Sequence, residues 1–258
     1  RPRALSTHMP VKRLFVDQPI AAGSTLALEG AAAHYLGRVL RARVGNTVQV
    51  FNGDGREFAA EMTRITRDAV VLDVHDAVAA APEPRVAITL MQALSRNEKM
   101  DLAIQKAVEL GVHSIRPVAV ERSVMRLDAT RTASRTEHWQ QDAVHAAQQC
   151  GRAVVPEVHA PATLGDALNA SADVGLGIVA APQAAHSLGD CLDKAGDGGD
   201  AARLLVGPEG GLTADEIALA TTSGLHAVRA GPRVLRTETA ALALVTVLQW
   251  RFGDLGGA

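Results

Sequence analysis

Cysteine is scarce. Cys150 and Cys191 are the only two in 258 residues and stand in no C-x-x-C spacing, which excludes a disulfide framework and a thiolate zinc site. No apolar run approaches the roughly 18–20 residues that cross a bilayer, and the opening RPRALSTHMP lacks the apolar stretch of a secretory signal. A soluble, cytoplasmic protein is expected. Arg1 to His8, ahead of Met9, read as a leftover or disordered tail with no part in the fold. The nine histidines include no H-E-x-x-H or other ligand spacing, and His138 and His145, which can share a helix face, suit half-buried surface positions. No metal is expected. A P-loop is missing too, because the strongest glycine run, GPEGG, lacks the Lys-Ser/Thr ending that holds phosphates and magnesium.

Charge of one sign is also lacking. The formal net charge of −2 argues against gripping phosphate backbones through bulk electrostatics. The average conceals an asymmetry, since Glu157, Asp166, Asp173, Asp190, Asp193, Asp197 and Asp200 face Lys194 alone within residues 157–200. The rest of the chain therefore carries a surplus of base. Arg38, Arg41 and Arg43 form one cluster, and Arg116, Arg122, Arg126, Arg131 and Arg135 form another, diluted by Glu121 and Asp128. Solvated surface and a local RNA-binding face both fit such clusters.

What is present falls into two textures. Val11 to His75 alternates short β-rich runs with turn chemistry: TVQVF (Thr47 to Phe51), Asn52-Gly53-Asp54-Gly55, REFAAEM, and AVVLDV (Ala69 to Val74). That pattern predicts a small barrel or sheet over 9–80. The proline-rich Ala77 to Arg85 suits a linker, with the boundary near Pro82 and a second domain over 81–258. Thereafter apolar strands alternate with helical periodicity, the mark of an α/β domain with a parallel sheet. Val86 to Leu94, Val174 to Ala180, Arg203 to Val206 and Leu225 to Ala230 read as strands. Met100, Ala103, Ala107 and Leu110 predict a helix ended by Gly111, and Trp139, Ala143, Ala146 and Cys150 mark another. A closing helix is expected from about Glu238 to Phe252.

Chemistry concentrates in two loops. A buried strand runs into Gly207, Pro208, Glu209, Gly210 and Gly211 before a helix whose start carries a capping box, Thr213 with Glu216. Loops at the carboxyl ends of strands are where open α/β sheets bind ligands, and glycines let backbone approach a flat ligand. The second loop runs from Ala230 through Gly231, Arg233, Val234, Leu235, Arg236, Thr237, Glu238 and Thr239. Arg236 suits a phosphate or carboxylate, while Thr237 or Glu238 can cap the helix that follows. Gly175-Leu176-Gly177 matches the loose dinucleotide fingerprint, but lies inside an apolar strand-like run rather than opening a helix.

These loops belong to six ordered motifs through which nearly the whole chain resembles the bacterial small-subunit (16S) rRNA uridine N3-methyltransferases of the SPOUT class. They are HYLGRVLR (His34 to Arg41), SRNEKM (Ser95 to Met100), QKAVELGV (Gln105 to Val112), QQCGR (Gln148 to Arg152), GPEGGL (Gly207 to Leu212) and GPRVLRTETA (Gly231 to Ala240). The resemblance implies a PUA-like N-terminal β-barrel that binds RNA, a C-terminal SPOUT domain with a trefoil knot, and a homodimer. It implies S-adenosylmethionine as methyl donor and 16S rRNA or the small ribosomal subunit as partner. Cofactor contacts then fall on Ala180, Val206, Gly207, Glu209, Gly210, Gly211, Gly231, Val234, Leu235, Arg236, Thr237 and Thr239. RNA contacts fall on Arg13, Arg38, Arg41, Arg43, Arg96, Arg122, Arg126 and Arg152. Arg236 becomes the organiser of the reaction, with Glu238 or Glu209 as proton acceptor. Relatives often carry His-Pro where this chain has Ala181-Pro182, so side-chain roles there do not transfer. Two other readings fit the loops: ribose 2′-O methylation, and a non-catalytic RNA-binding ribosome-assembly factor.

Overall fold

A computed structural model describes residues 12–34, 36, 42–125, 129–171, 175–196 and 199–257. The tail 1–8, Arg38, Arg41 and Arg126 lie outside the described residues. The chain divides into two units, Arg1–Pro82 with Ala147–Val155, and Glu83–Ala146 with Pro156–Ala258.

The first unit holds β1 (Arg13–Phe15), β2 (Thr25–Glu29), α1 (Gly30–His34), β3 (Thr47–Phe51), β4 (Glu57–Ile65) and β5 (Ala69–Val78). They form a five-stranded sheet in the order β1-β3-β4-β5-β2, antiparallel except for the parallel β1–β3 pair. Alternation decides which face is buried: β2 turns Leu26 and Leu28 inward, and β3 does so with Val48 and Val50. These side chains meet Leu14, Met62, Val70 and Leu72 in one core. Gly53, with φ of 89°, sits in the turn joining β3 to β4, a conformation that a Cβ would strain.

Arg13 closes this unit from within. Its Nε donates to Glu57 Oε1 at 2.7 Å and its Nη2 to Oε2 at 3.1 Å. The remaining donors reach the carbonyls of Ala147 at 2.9 Å, Gln148 at 3.0 Å and Arg152 at 3.1 Å. All five guanidinium N–H groups are thereby used, and three of their acceptors are carbonyls at or just beyond the end of a helix. Arg13, expected at the RNA interface, is thus engaged inside the unit, and Arg152, expected there too, is 7% exposed.

The second unit contains β6 (Ala87–Ala93), α2 (Asn97–Glu109), β7 (Ser114–Ala119), α3 (Ala129–Cys150, whose last turn belongs to the first unit), β8 (Glu157–Val158), β9 (Ala162–Thr163) and α4 (Leu164–Asn169). It continues with β10 (Leu176–Ala180), β11 (His186–Ser187), α5 (Leu188–Ala195), β12 (Ala201–Val206), α6 (Ala214–Thr222), β13 (Leu225–Arg229) and α7 (Thr237–Phe252). The sheet runs β11-β13-β10-β12-β6-β7-β8, with β9 also on β7, and its described pairings are parallel. A parallel sheet covered on both faces needs continuous apolar strands, and β6 and β12 are buried along nearly their whole lengths.

Gly177 has a packing reason: a Cβ there would lie 2.8 Å from the Gly224 carbonyl and 3.1 Å from Leu225 Cα on the adjoining strand. Helices α2 and α7 pack against one another, tied where Gln249 Nε2 donates to the Gly111 carbonyl at 2.9 Å. Because β10 lies between β12 and β13, the loops leaving all three carboxyl ends emerge side by side. Among the described residues, no helix is long and apolar enough to cross a membrane.

Candidate functional site

Those three loops surround a cavity of about 400 Å³, within the range that holds a small-molecule ligand. The end of β10 and the loop after it contribute Ala180, Ala181, Pro182 and Gln183; the loop after β12 contributes Gly207 through Leu212. From the loop after β13 come Ala230, Arg233, Val234 and Leu235, followed by Thr237 on α7. Val206, Ile217, Val228 and Leu244 give the walls an apolar character, while the loop backbones offer carbonyls and amides.

Each glycine of the first loop has a local cause. A Cβ on Gly207 would sit 3.0 Å from Leu212 Cγ and 3.1 Å from its amide nitrogen, and Gly211 occupies the left-handed region at φ 70°. The Gly211 amide closes that turn on the Pro208 carbonyl at 2.9 Å. A Cβ on Gly210 would lie 3.1 Å from Arg122 Cβ, whose guanidinium Nη1 donates to the Gly210 carbonyl at 3.0 Å. The capping box expected for α6 is present, Thr213 Oγ1 accepting from the Glu216 amide and the Glu216 carboxylate from the Thr213 amide.

Of the expected cofactor residues, Ala180, Val206, Gly207, Glu209, Gly210, Gly211, Val234, Leu235 and Thr237 line the cavity. Gly231 borders a neighbouring cavity instead, with Ser187, Arg229 and Val247. Arg236 and Thr239 are exposed and are absent from the cavity lining. Arg236 holds the N-cap position of α7 in extended conformation, without a side-chain capping bond. The hydroxyl of Thr237 does not cap the helix: it donates to the Gly207 carbonyl at 2.6 Å and accepts from Gln92 Nε2 at 2.9 Å. A buried side chain thus joins the two glycine loops.

The two candidate proton acceptors stand together. Lys99 Nζ lies 3.2 Å from Glu209 Oε1 and 3.8 Å from Glu238 Oε2. Partial burial would raise the Glu209 pKa, but its own backbone amide, Lys99 and the Arg96 amide together hold it below the usual carboxylate value. Glu238 Oε2 is shut off from solvent without a hydrogen-bond donor.

Sequence reasoning assigned no role to Lys99 or Gln92. Lys99 lay inside SRNEKM, and Gln92 was a polar residue in an apolar strand; neither signal names a partner. Arg43, Arg96 and Arg122, expected at the RNA interface, are exposed, and Arg122 also lines the cavity. Asp101, His138 and Asp142 come together in the fold. His138 Nε2 lies 3.5 Å from Asp101 Oδ1 and 3.5 Å from Asp142 Oδ2, and Trp139 Nε1 donates to Asp101 Oδ1 at 3.2 Å.

Residues 82–249 match the model of a family described as the RNA methyltransferase domain, and residues 28–74 match the RNA methyltransferase PUA domain. The ribosomal RNA small subunit methyltransferase E of Mycobacterium bovis is 30% identical over 242 residues, covering 92% of each chain. Its counterpart from Buchnera aphidicola is 29% identical over 245 residues, 95% of this chain and 98% of the relative. The solved Neisseria gonorrhoeae ribosomal RNA small subunit methyltransferase E, bound to S-adenosyl methionine, is similar with a TM-score of 0.87 at 32% identity over 95% of this chain and 99% of that one. A Legionella pneumophila protein solved with the bound cofactor SAM has a TM-score of 0.88 and 33% identity over the same shares.

Proposed function

The chain belongs to the RNA methyltransferase family, and from that premise we propose that it methylates N3 of one uridine in small-subunit ribosomal RNA. It is an S-adenosylmethionine-dependent rRNA methyltransferase with a PUA-like first unit and a SPOUT-like α/β second unit. The observation that carries the site assignment is the convergence of three strand-end loops on one cavity.

The lining suits the cofactor: apolar walls from Val206, Ile217, Val228 and Leu244 accept a flat base, and loop carbonyls and amides accept ribose hydroxyls and an amino group. Ala180, Val206, Gly207, Gly210, Gly211, Val234, Leu235 and Thr237 would hold it. When bound, S-adenosylmethionine supplies an electrophilic methyl on a sulfonium, and transfer leaves a neutral thioether. Most of the rate then rests on positioning. Uracil N3–H is a weak acid whose anion is the better nucleophile, so a carboxylate near the bound base assists by taking the proton. Glu209 and Glu238 are the acceptors in this reading. Arg236, exposed at the start of α7, steers an RNA phosphate or offsets charge growing on the base carbonyls. Arg43, Arg96 and Arg122 extend the RNA contacts.

A trefoil knot in the second unit, a cytoplasmic location and a homodimer belong to the same proposal. The dimer draws support from α7, whose apolar residues reach its outer face: Leu242 and Val247 are half-buried and Trp250 is 63% exposed. Multi-angle light scattering reads the mass directly.

The test incubates the protein with labelled S-adenosylmethionine and small-subunit RNA, naked or in assembled subunits, and then identifies the modified nucleoside. 3-Methyluridine is expected. A 2′-O-methyl product overturns the N3 assignment, and cofactor binding without transfer favours an assembly factor.

A further inference from the structure

Three charged side chains from separate stretches of the chain meet around Glu209, which lines the cavity: Lys99 in the first turn of α2, Glu209 after β12, and Glu238 in the first turn of α7. Lys99 Nζ is 3.2 Å from Glu209 and 3.8 Å from Glu238, and their side chains are 27%, 23% and 13% exposed. The Arg96 amide donates to the same Glu209 oxygen at 3.4 Å, which fixes that carboxylate from a second side. Glu238 Oε2 is enclosed and has no hydrogen-bond donor, so an enclosed negative charge there requires a cation nearby. The ammonium is that cation.

We propose that Lys99 is a positioning residue of the methyl-transfer site, its ammonium joining the loop after β12 to the start of α7 and offsetting the two carboxylates beside which the nucleophile turns negative. The inference rests on the methyl-transfer reading. When uracil N3 loses its proton, negative charge spreads onto the base carbonyls. Two bare carboxylates would oppose that change; one ammonium between them leaves the trio with a single net negative charge. A carboxylate gripped by an ammonium also stays ionised, and an ionised carboxylate is the form that accepts a proton. The groups facing Lys99 are Glu209 and Glu238. On α2 itself Arg96 and Glu98 are exposed at its start, and Lys106 is engaged by Glu109. Arg236 precedes Glu238 at the α7 N-cap, and Arg122 reaches the Gly210 carbonyl from the segment after β7.

The test compares Lys99→Met, Lys99→Arg and the same-helix control Lys106→Met on two readouts. One is a 13C-carboxyl NMR titration of Glu209 in ligand-free protein, its signal identified by its loss in Glu209→Gln. Lys99→Met should raise the midpoint by about one pH unit, Lys99→Arg should restore it, and Lys106→Met should leave it unmoved. The other is kcat and KM against pH on small-subunit substrate. Lys99→Met should lower kcat roughly tenfold to a hundredfold, with the acid limb displaced upward and KM for S-adenosylmethionine little changed. An unmoved Glu209 midpoint, or an acid limb that keeps its place while the rate falls, overturns the inference. Should Lys99→Met not fold, Lys99→Gln takes its place on both readouts. A wild-type protein that transfers no methyl sinks the functional reading, and the Glu209 midpoint then decides alone whether Lys99 governs that carboxylate.

Discussion

The hydroxyl of Thr237, buried at the start of α7, donates a 2.6 Å hydrogen bond to the carbonyl of Gly207, so one short side chain spans both glycine loops. Replacing Thr237 with Val keeps the shape but takes the hydroxyl from the Gly207 carbonyl and from Gln92 Nε2, which retains only the Ala93 carbonyl at 3.2 Å. Such a loss costs about 1–3 kcal/mol, or about 2–4 °C of melting temperature per kcal/mol at this size. Binding of S-adenosylhomocysteine should weaken with it, and Thr237→Ser should recover both. Scanning calorimetry and titration calorimetry provide the check; a Val variant with native affinity would show that the loops keep their relation by other means.

Gly210→Val should act on the cavity and spare the fold. The added Cβ would stand 3.1 Å from Arg122 Cβ, and the branched methyls must displace either Arg122 or the ligand. S-Adenosylhomocysteine binding is expected to weaken at least about tenfold, or roughly 1.4 kcal/mol, with an unaltered circular dichroism spectrum. Native affinity would remove this loop from the cofactor site.

Arg236→Ala separates binding from turnover. The side chain is exposed, is absent from the cavity lining and makes no capping bond, so cofactor affinity and melting temperature should hold while kcat on small-subunit substrate falls roughly tenfold or more. A fully active variant would exclude Arg236 from the reaction.

Arg13→Met tests the opposite assignment, an arginine kept for structure. It strips Glu57, 4% exposed, of its cation, and breaking a buried pair from one side costs about 3–5 kcal/mol. Unfolding in urea should report that loss, and adding Glu57→Leu should return part of it. A stable Arg13→Met protein with reduced RNA affinity would restore Arg13 to the RNA-contact set.

Glu209 also ties stability to pH. Its pKa is lowered on folding: burial opposes the shift, but its own amide, Lys99 and the Arg96 amide outweigh it. A carboxylate of this kind contributes its stabilisation in full above the ordinary carboxylate pKa and loses it as pH falls through the folded value. Melting temperatures of wild type and Glu209→Gln should therefore differ most near about pH 7 and converge towards about pH 3. A gap that widens on acidification would contradict the sign.

Elements with a long period were readable from the residues alone. The predicted strand over Val86 to Leu94 and the closing helix appear as Ala87–Ala93 and Thr237–Phe252, because burial on both faces of a parallel sheet leaves an unbroken apolar run. The two-residue strands at Glu157–Val158, Ala162–Thr163 and His186–Ser187 carry no such pattern, being shorter than any period. The glycine loops were legible as positions but not as causes. Gly207 answers to Leu212 and Gly211 to a left-handed turn, facts that need neighbours in space. The partners of Arg13 were illegible for the same reason: its acceptors lie 44 and 134 to 139 residues away in sequence, and composition cannot distinguish a satisfied guanidinium from a free one. Lys99 stood in a recognisable motif, yet only the folded chain brings Glu209 and Glu238 to it.

The reliance of Arg13 on the carbonyls of Ala147, Gln148 and Arg152 constrains the order of events during translation. A nascent chain paused after Pro82 carries every strand of the β-sheet unit but none of those acceptors, so the Arg13 guanidinium stays short of partners until Val155 has left the ribosome. The amino-terminal unit is then the first to be made and not the first to be finished, and a protease added to stalled nascent chains should find it cleavable until that later segment emerges.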